Sequence, residues 1–206
     1  VVGKNLGAVS LQRWLGEQGA RHLMLVSRRG AQSAEAQETL EALRAHGVEV
    51  RAVAANVSRF EELRRALVDA QATMPPLKGI VHSATVLDDK PLAELDRDSL
   101  ERVMAAKAGG AWNLHRLMEG QPLDFFVMFS SISSLIGNAG QGNYVAANAF
   151  LDQLALYRRR QGLVATSVHW GVLGETGLVA RNAQVARHLE LLGIRALSTR
   201  DALVAL

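Results

Sequence analysis

A serine hydroxyl and a tyrosine phenol stand thirteen residues apart, Ser131 at the end of an apolar run and Tyr144 at the start of a helical pattern. The first closes Phe129–Ser130–Ser131; the second lies in Gly140–Gln141–Gly142–Asn143–Tyr144–Val145–Ala146–Ala147–Asn148. A phenol beside a second hydroxyl donor can pass a proton to an oxygen as negative charge builds on it, so carbonyl reduction is the first chemistry this pair suggests. Serine pairs and tyrosines near helix ends are common, so the case rests on the elements that must position them.

Short apolar runs alternate with helical patterns along the chain. Strands are expected at 22–26, 48–54, 79–82, 124–130 and 165–170, with helices at 6–18, 34–46, 60–73, 99–119 and 142–161. The runs Leu23–Met24–Leu25–Val26 and Phe125–Phe126–Val127–Met128–Phe129 are apolar on both alternating faces, as in strands of a parallel sheet covered by helices on each side. The alternation therefore predicts an α/β fold, a Rossmann-like doubly wound parallel sheet with helices on both faces and right-handed crossovers. In such sheets functional groups collect at the carboxyl ends of the strands. Those ends carry Ser27–Arg28–Arg29, Asn56, Ser83–Ala84–Thr85, Ser130–Ser131 and Gly171.

Length and composition bound the rest. The 206 residues read as one domain, with 49% hydrophobic residues and 21% charged, ordinary for a globular protein. The net charge of +3 is dispersed. Its one dense run, Arg158–Arg159–Arg160, falls at a helix end where cations complement the dipole, so no nucleic-acid partner is expected. Without cysteine there is no disulfide and no thiolate metal site; no metal is expected, and a cytoplasmic setting fits. No apolar segment approaches the roughly 20 residues that span a bilayer. The chain opens on Val1 rather than methionine, which reads as a piece of a longer protein.

Gly3–Lys4–Asn5–Leu6–Gly7–Ala8 stands where a phosphate-binding turn should open the first helix. In the usual fingerprint the second glycine lets backbone approach a pyrophosphate; here Asn5, or Lys4 in a shifted register, takes that place. Only Val1–Val2 precede the turn, whereas a strand takes about five residues, so the first strand is expected to be truncated. Arg28, in the position where an acidic residue would meet the ribose of NAD, instead suits the 2′-phosphate of NADP.

The sequence resembles the ketoreductase domains of polyketide synthases, in the short-chain dehydrogenase/reductase superfamily. The resemblance runs over essentially the whole chain. It rests on Leu25–Val26–Ser27–Arg28–Arg29–Gly30, Val81–His82–Ser83–Ala84, Leu87–Asp88–Asp89, Ala105–Ala106–Lys107, Ser130–Ser131, Gly140–Gln141–Gly142–Asn143–Tyr144 and Trp170–Gly171. It implies a catalytic tetrad of Lys107, Ser131, Tyr144 and Asn148, with asparagine four residues after the tyrosine and the lysine on the preceding helix. A Lys107 ammonium near Tyr144 is then expected to lower the phenol from its usual pKa of about 10.

The same resemblance implies an NADPH site built from Gly3, Asn5, Leu6, Ser27, Arg28, Asn56, Val57, Ser83, Ala84 and Thr85, together with Lys107 and Tyr144. Leu87, Asp88, Asp89 and Gln141 would face the substrate, and Leu87–Asp88–Asp89 resembles the motif of domains that yield the D-configured hydroxyl. Residues 172–178 look like a substrate-covering loop, Ser198–Thr199 cap a last helix over 200–206, and a final strand is expected to follow Leu206. The implied activity is NADPH-dependent reduction of a 3-oxoacyl thioester on an acyl carrier protein, by a domain set among neighbouring synthase domains. Three positions depart from the family on the cofactor side: the glycine turn, Asn56 for aspartate and Thr85 for glycine. They favour a second reading, a non-catalytic scaffold that binds no cofactor. A third is a free-standing dehydrogenase acting on a small alcohol or ketone.

Overall fold

The computed structural model describes residues 8–174, 193 and 195–206. Five strands and the helices between them follow one another in the expected order: α1 (Ala8–Glu17), β1 (His22–Ser27), α2 (Ala34–Ala45), β2 (Glu49–Ala54), α3 (Phe60–Gln71) and β3 (Gly79–His82) come first. Then come α4 (Arg97–Met104), a π-helical turn (Ala105–Gly109), α5 (Gly110–Leu117), β4 (Phe125–Ser131), a short α6 (Ser133–Ile136), α7 (Gly142–Arg160) and β5 (Thr166–Trp170). A last helix, α8, covers Thr199–Val204. The single helix expected over 99–119 is thus three segments. Its start is moved forward by Asp96, whose carboxylate caps the Ser99 N–H at 2.7 Å.

All pairings are parallel. β1 lies beside β2, from His22 opposite Glu49 to Ser27 opposite Ala54. β4 is the middle of β3–β4–β5, with Gly79 opposite Phe125 and Ser131 opposite Trp170. Two-sided burial is what the apolar runs predict. Met24, Val26, Ile80, Phe126 and Met128 pack with Leu63, Leu114 and Leu151 on one face, while Val81 and Phe129 pack with Leu11, Trp170 and Ala202 on the other. Leu23 and Val50 join Leu40 and Leu43 beneath α2. Helices α3, α5 and α7 therefore cover one face, and α1, α2 and α8 the opposite one.

β1 and β3 belong to different ladders in the described residues, and a cleft of about 330 Å³ lined by Leu23, Met24, Gly79 and Val81 lies between them. The expected truncated first strand, at Val1–Val2, lies outside the described residues, as do Gly3, Asn5 and Leu6 of the phosphate turn and most of the expected covering loop. The Arg158–Arg160 run closes α7, at the helix end where it was expected, and its first member does more. Arg159 and Arg160 are exposed, but Arg158 is only 2% exposed and stacks over Phe126 at 4.2 Å. It meets His115 Nδ1 at 2.9 Å and donates to the Val164 carbonyl at 3.1 Å. This arginine fastens α7 to α5 and the loop into β5.

Candidate active site

The four residues of the expected tetrad meet at the carboxyl end of β4. Ser131 ends that strand, and its Oγ accepts hydrogen bonds from the Ser133 N–H (3.2 Å) and the Ser133 hydroxyl (3.0 Å). Both bonds are received, which leaves the Ser131 proton for the Tyr144 phenol or a ligand. Tyr144 opens α7, with its N–H on the Asn143 side-chain oxygen at 2.7 Å. One turn later Asn148 is fully buried and donates Nδ2 to the Tyr144 carbonyl at 2.8 Å, as two residues on one helical face should. The Ser130 hydroxyl donates to the Asn148 carbonyl at 3.4 Å and ties that turn to β4.

Lys107 arrives from the π turn. Only 3% exposed, it places Nζ 5.1 Å from the Tyr144 ring centroid and donates to the Phe129 carbonyl at 2.8 Å. Burial pushes its pKa down to about 7, with the Asp152 carboxylate opposing that fall. Asp152 continues the 144–148 face by one more turn and is itself pinned by Ser134 (2.7 Å), Ser167 (2.5 Å) and His169 Nε2 (3.0 Å). Burial alone would raise its pKa, but the hydroxyls of Ser167, Ser134 and Ser130 hold it below the usual carboxylate value.

The expected lowering of the Tyr144 pKa is reversed. Burial raises it above 10.0, outweighing the hydrogen bonds to Asn148 and Ser131, and the Asp89 charge adds to the rise. Desolvation of the phenolate wins here because the ring sits against protein on most sides. A phenol that keeps its proton near neutral pH is the form a proton donor needs.

A second cleft, of about 280 Å³, opens where β1, β2 and β3 end, and its wall includes Ala105 and Ala106, the two residues before Lys107. Six of the expected cofactor residues, Ser27, Arg28, Asn56, Val57, Ala84 and Thr85, line it together. Arg28 is exposed on the turn after β1, which Gly30 closes at φ +55° while Ser27 Oγ donates to its carbonyl at 3.2 Å. A glycine suits this turn, since a Cβ there would press on the Ala54 backbone at 3.2 Å. Ser83, the residue after β3, is buried. The Thr85 hydroxyl is a buried polar atom with no partner among the described residues, as is Asn148 Oδ1. A polar ligand with ribose hydroxyls and phosphates fits such a lining, which carries the Arg28 cation and the orphaned Thr85 hydroxyl. Asn56 is less free than expected: its Oδ1 accepts from the Ser58 N–H and hydroxyl at 3.1 and 2.9 Å, leaving Nδ2 as the group to offer.

The substrate-side segment is tied down from below. Asp88 pairs with Arg102 Nε at 3.0 Å, and this guanidinium holds its pKa below the usual carboxylate value. Gln141 is buried; its Nε2 donates to Asp89 at 2.7 Å, and its Oε1 accepts from Asn138 at 2.8 Å. Leu87 is exposed at the rim. Asn143, fully buried, donates to the Asp88 carbonyl at 2.7 Å. Arg102 and Asn143 went unassigned in the sequence. An asparagine directly before the tyrosine was visible there, but its link to Asp88 joins residues 55 apart and appears only once the chain folds. Among the described residues no group of three or more His, Asp or Glu side chains could hold a metal, and no helix is long and apolar enough to cross a membrane.

With fold and site in place, the likenesses to known proteins agree. A family model described as KR domain matches residues 3–175. Polyketide synthase GfsB of Streptomyces halstedii is 46% identical over 172 residues, 84% of this chain and 3% of that protein. The highly reducing polyketide synthase PKS6 of Gibberella zeae is 40% identical over 190 residues, 92% of this chain and 7% of its own length. Among solved structures, one described as A-type ketoreductases from a modular polyketide synthase superposes with TM-score 0.90 at 41% identity, covering 99% of this chain and 43% of that one. A ketoreductase from the first module of phoslactomycin biosynthesis in a Streptomyces species gives 0.92 at 37%, over 99% and 47% of the two chains. The chain belongs to the ketoreductase domain family of polyketide synthases, within the short-chain dehydrogenase/reductase superfamily. It spans a small fraction of the synthases it matches and under half of each of these solved chains.

Proposed function

We propose that this domain reduces the 3-oxo group of an acyl thioester carried on an acyl carrier protein, with NADPH as reductant, and delivers the D-configured 3-hydroxyacyl thioester. The observation that carries the reading is the meeting of Ser131, Tyr144, Asn148 and Lys107 at one strand end, with the Lys107 segment also walling a cleft lined by Arg28. Bound NADPH would supply the hydride that adds to the β-carbon. The remaining work is done by the chain. Ser131, whose hydroxyl also meets the Tyr144 phenol, would donate to the carbonyl oxygen, where charge develops. Tyr144, kept protonated by burial, gives its proton to that oxygen. Lys107, whose Nζ lies 5.1 Å from the ring centroid, then faces a phenolate, and in its protonated form it steadies that charge. Arg28 and the strand-end backbone would hold the nucleotide.

Leu87, Asp88 and Asp89, braced by Arg102, Asn143 and Gln141, stand where they could fix the face of the carbonyl that is presented. Chiral analysis of the product from a 3-oxoacyl N-acetylcysteamine thioester tests this. The D isomer is expected, and an L product would remove the stereochemical assignment. We further propose that the domain works inside a multidomain synthase rather than as a free-standing dehydrogenase, a reading its relatives' names support.

Arg28 makes a separate expectation for cofactor choice. Arg28→Ala should weaken NADPH by about tenfold, the loss of one charge-assisted phosphate contact, and leave NADH almost unchanged. Fluorescence titration with both nucleotides decides it; equal weakening of the two would place Arg28 outside the site. The non-catalytic reading keeps one observation in its favour, the internal engagement of Asn56 Oδ1. Saturable NADPH binding in the same titration would retire it.

A further inference from the structure

The chemistry proposed above uses Lys107 but leaves unexplained what holds it. Its backbone lies in the π turn Ala105–Gly109, where the Gly110 N–H reaches the carbonyl of Ala105 five residues back. A widened turn of this kind is rare and is disfavoured without outside support. The support comes from β3. His82, the last residue of that strand, is fully buried, and its Nε2 lies 2.9 Å from the Lys107 carbonyl oxygen. A carbonyl only accepts, so Nε2 carries the proton and Nδ1 is left as an acceptor. That Nδ1 has no partner among the described residues.

Burying an unpaired acceptor is destabilising. A leucine or phenylalanine would fill the same space without that cost, so packing alone gives no reason for an imidazole here. The neighbouring helix makes room for it: a Cβ on Gly110 would come within 3.0 Å of His82 Cε1 and 2.8 Å of Val57 Cγ1. Lys107 is thereby held at two points on two strands, its carbonyl by His82 of β3 and its amine by the Phe129 carbonyl of β4. We propose that His82 is a positioning residue, whose Nε2–H fixes the π turn and so aims the Lys107 amine at Tyr144. Burial also keeps the imidazole neutral, with a pKa lowered to about 4, so the donor persists across the working pH range.

This proposal rests on the catalytic reading of Lys107, and its test separates the two. Two variants are compared in the parent synthase domain: His82→Gln, which keeps an amide N–H at similar reach, and His82→Leu, which keeps volume alone. With saturating NADPH and a 3-oxoacyl N-acetylcysteamine thioester, the Gln form should keep kcat within about threefold. The Leu form should lose about 30-fold or more, because a catalytic group displaced by about an ångström costs on the order of a hundredfold. Independently of activity, nitrogen NMR of the unvaried domain should show His82 as the Nε2–H tautomer. The Lys107 amine should titrate near 7 in the parent and Gln forms and move toward 10.5 in the Leu form, as the amine swings to solvent. If the parent domain reduces nothing, the function proposed above fails while the NMR readouts still decide the role of His82. A folded Leu form with unchanged kcat and unchanged Lys107 titration would overturn it, as would an Nδ1–H tautomer in the parent.

Discussion

Tyr144→Phe is expected to fold as the parent does and to lose about 10²–10⁴-fold in the rate of ketone reduction, the usual worth of a positioned general acid. The ring stays and only the hydroxyl goes, so the α7 contacts survive and NADPH affinity should change by less than about threefold, there being no charged contact to lose. Ser131 alone can still polarise the carbonyl, so some reduction remains. The loss should fall on kcat far more than on KM, because the phenol proton is needed only as the oxygen becomes negative. Thioester-dependent loss of NADPH absorbance under saturating conditions measures it. Retention of most of the activity would remove Tyr144 as the acid.

Lys107→Met separates function from stability. The amine is buried and its pKa falls from 10.5 to about 7, so folding must strip or strain its proton. With the folded pKa below the unfolded one, the unfolded chain holds more protons between pH 7 and 10.5, and stability rises with pH across that window. At about 1.4 kcal/mol per unit, the gain from pH 7 to about 9.5 is on the order of 3 kcal/mol. Methionine abolishes this dependence. At pH 7 the variant should be at least as stable as the parent, since relief of desolvation outweighs the bond lost at the Phe129 carbonyl. Its kcat should nonetheless fall by about 10²-fold or more, the phenolate having lost its cation. Urea melts of both proteins at the two pH values check the stability half. A parent whose stability does not rise relative to the variant would show that Lys107 keeps its proton in the fold.

The sheet was legible because its signal is local. Strands buried on both faces show as unbroken apolar runs, and β1 through β5 each fall within about a residue of their expected bounds. The tetrad was expected from the family resemblance, and it fits the structure in that Tyr144 and Asn148 share a helix face and Ser131 ends a strand. What escaped depends on partners distant in sequence. Ala105–Ala106–Lys107–Ala108–Gly109 reads as plain helix, and nothing in it discloses that His82, 25 residues earlier, meets its carbonyl. The burial of Arg158 needs Phe126 beneath it and His115 beside it. The direction of the Tyr144 pKa was misjudged because a nearby cation can be inferred from a sequence motif, whereas the depth of burial cannot. Short α6 is four residues long, too brief for a periodic pattern, and ends at Gly137 with φ +76°.

In the proposed reaction a thioester ketone and NADPH come together so that hydride reaches the β-carbon while Tyr144 protonates the oxygen. Incubating the parent domain with NADPH deuterated at the transferring position and a 3-oxoacyl thioester tests it most directly, with mass spectrometry of the product. The account expects a 3-hydroxyacyl thioester bearing a single deuterium on the β-carbon, with its formation nearly abolished in Tyr144→Phe. A folded domain that binds NADPH yet transfers no deuterium would contradict it.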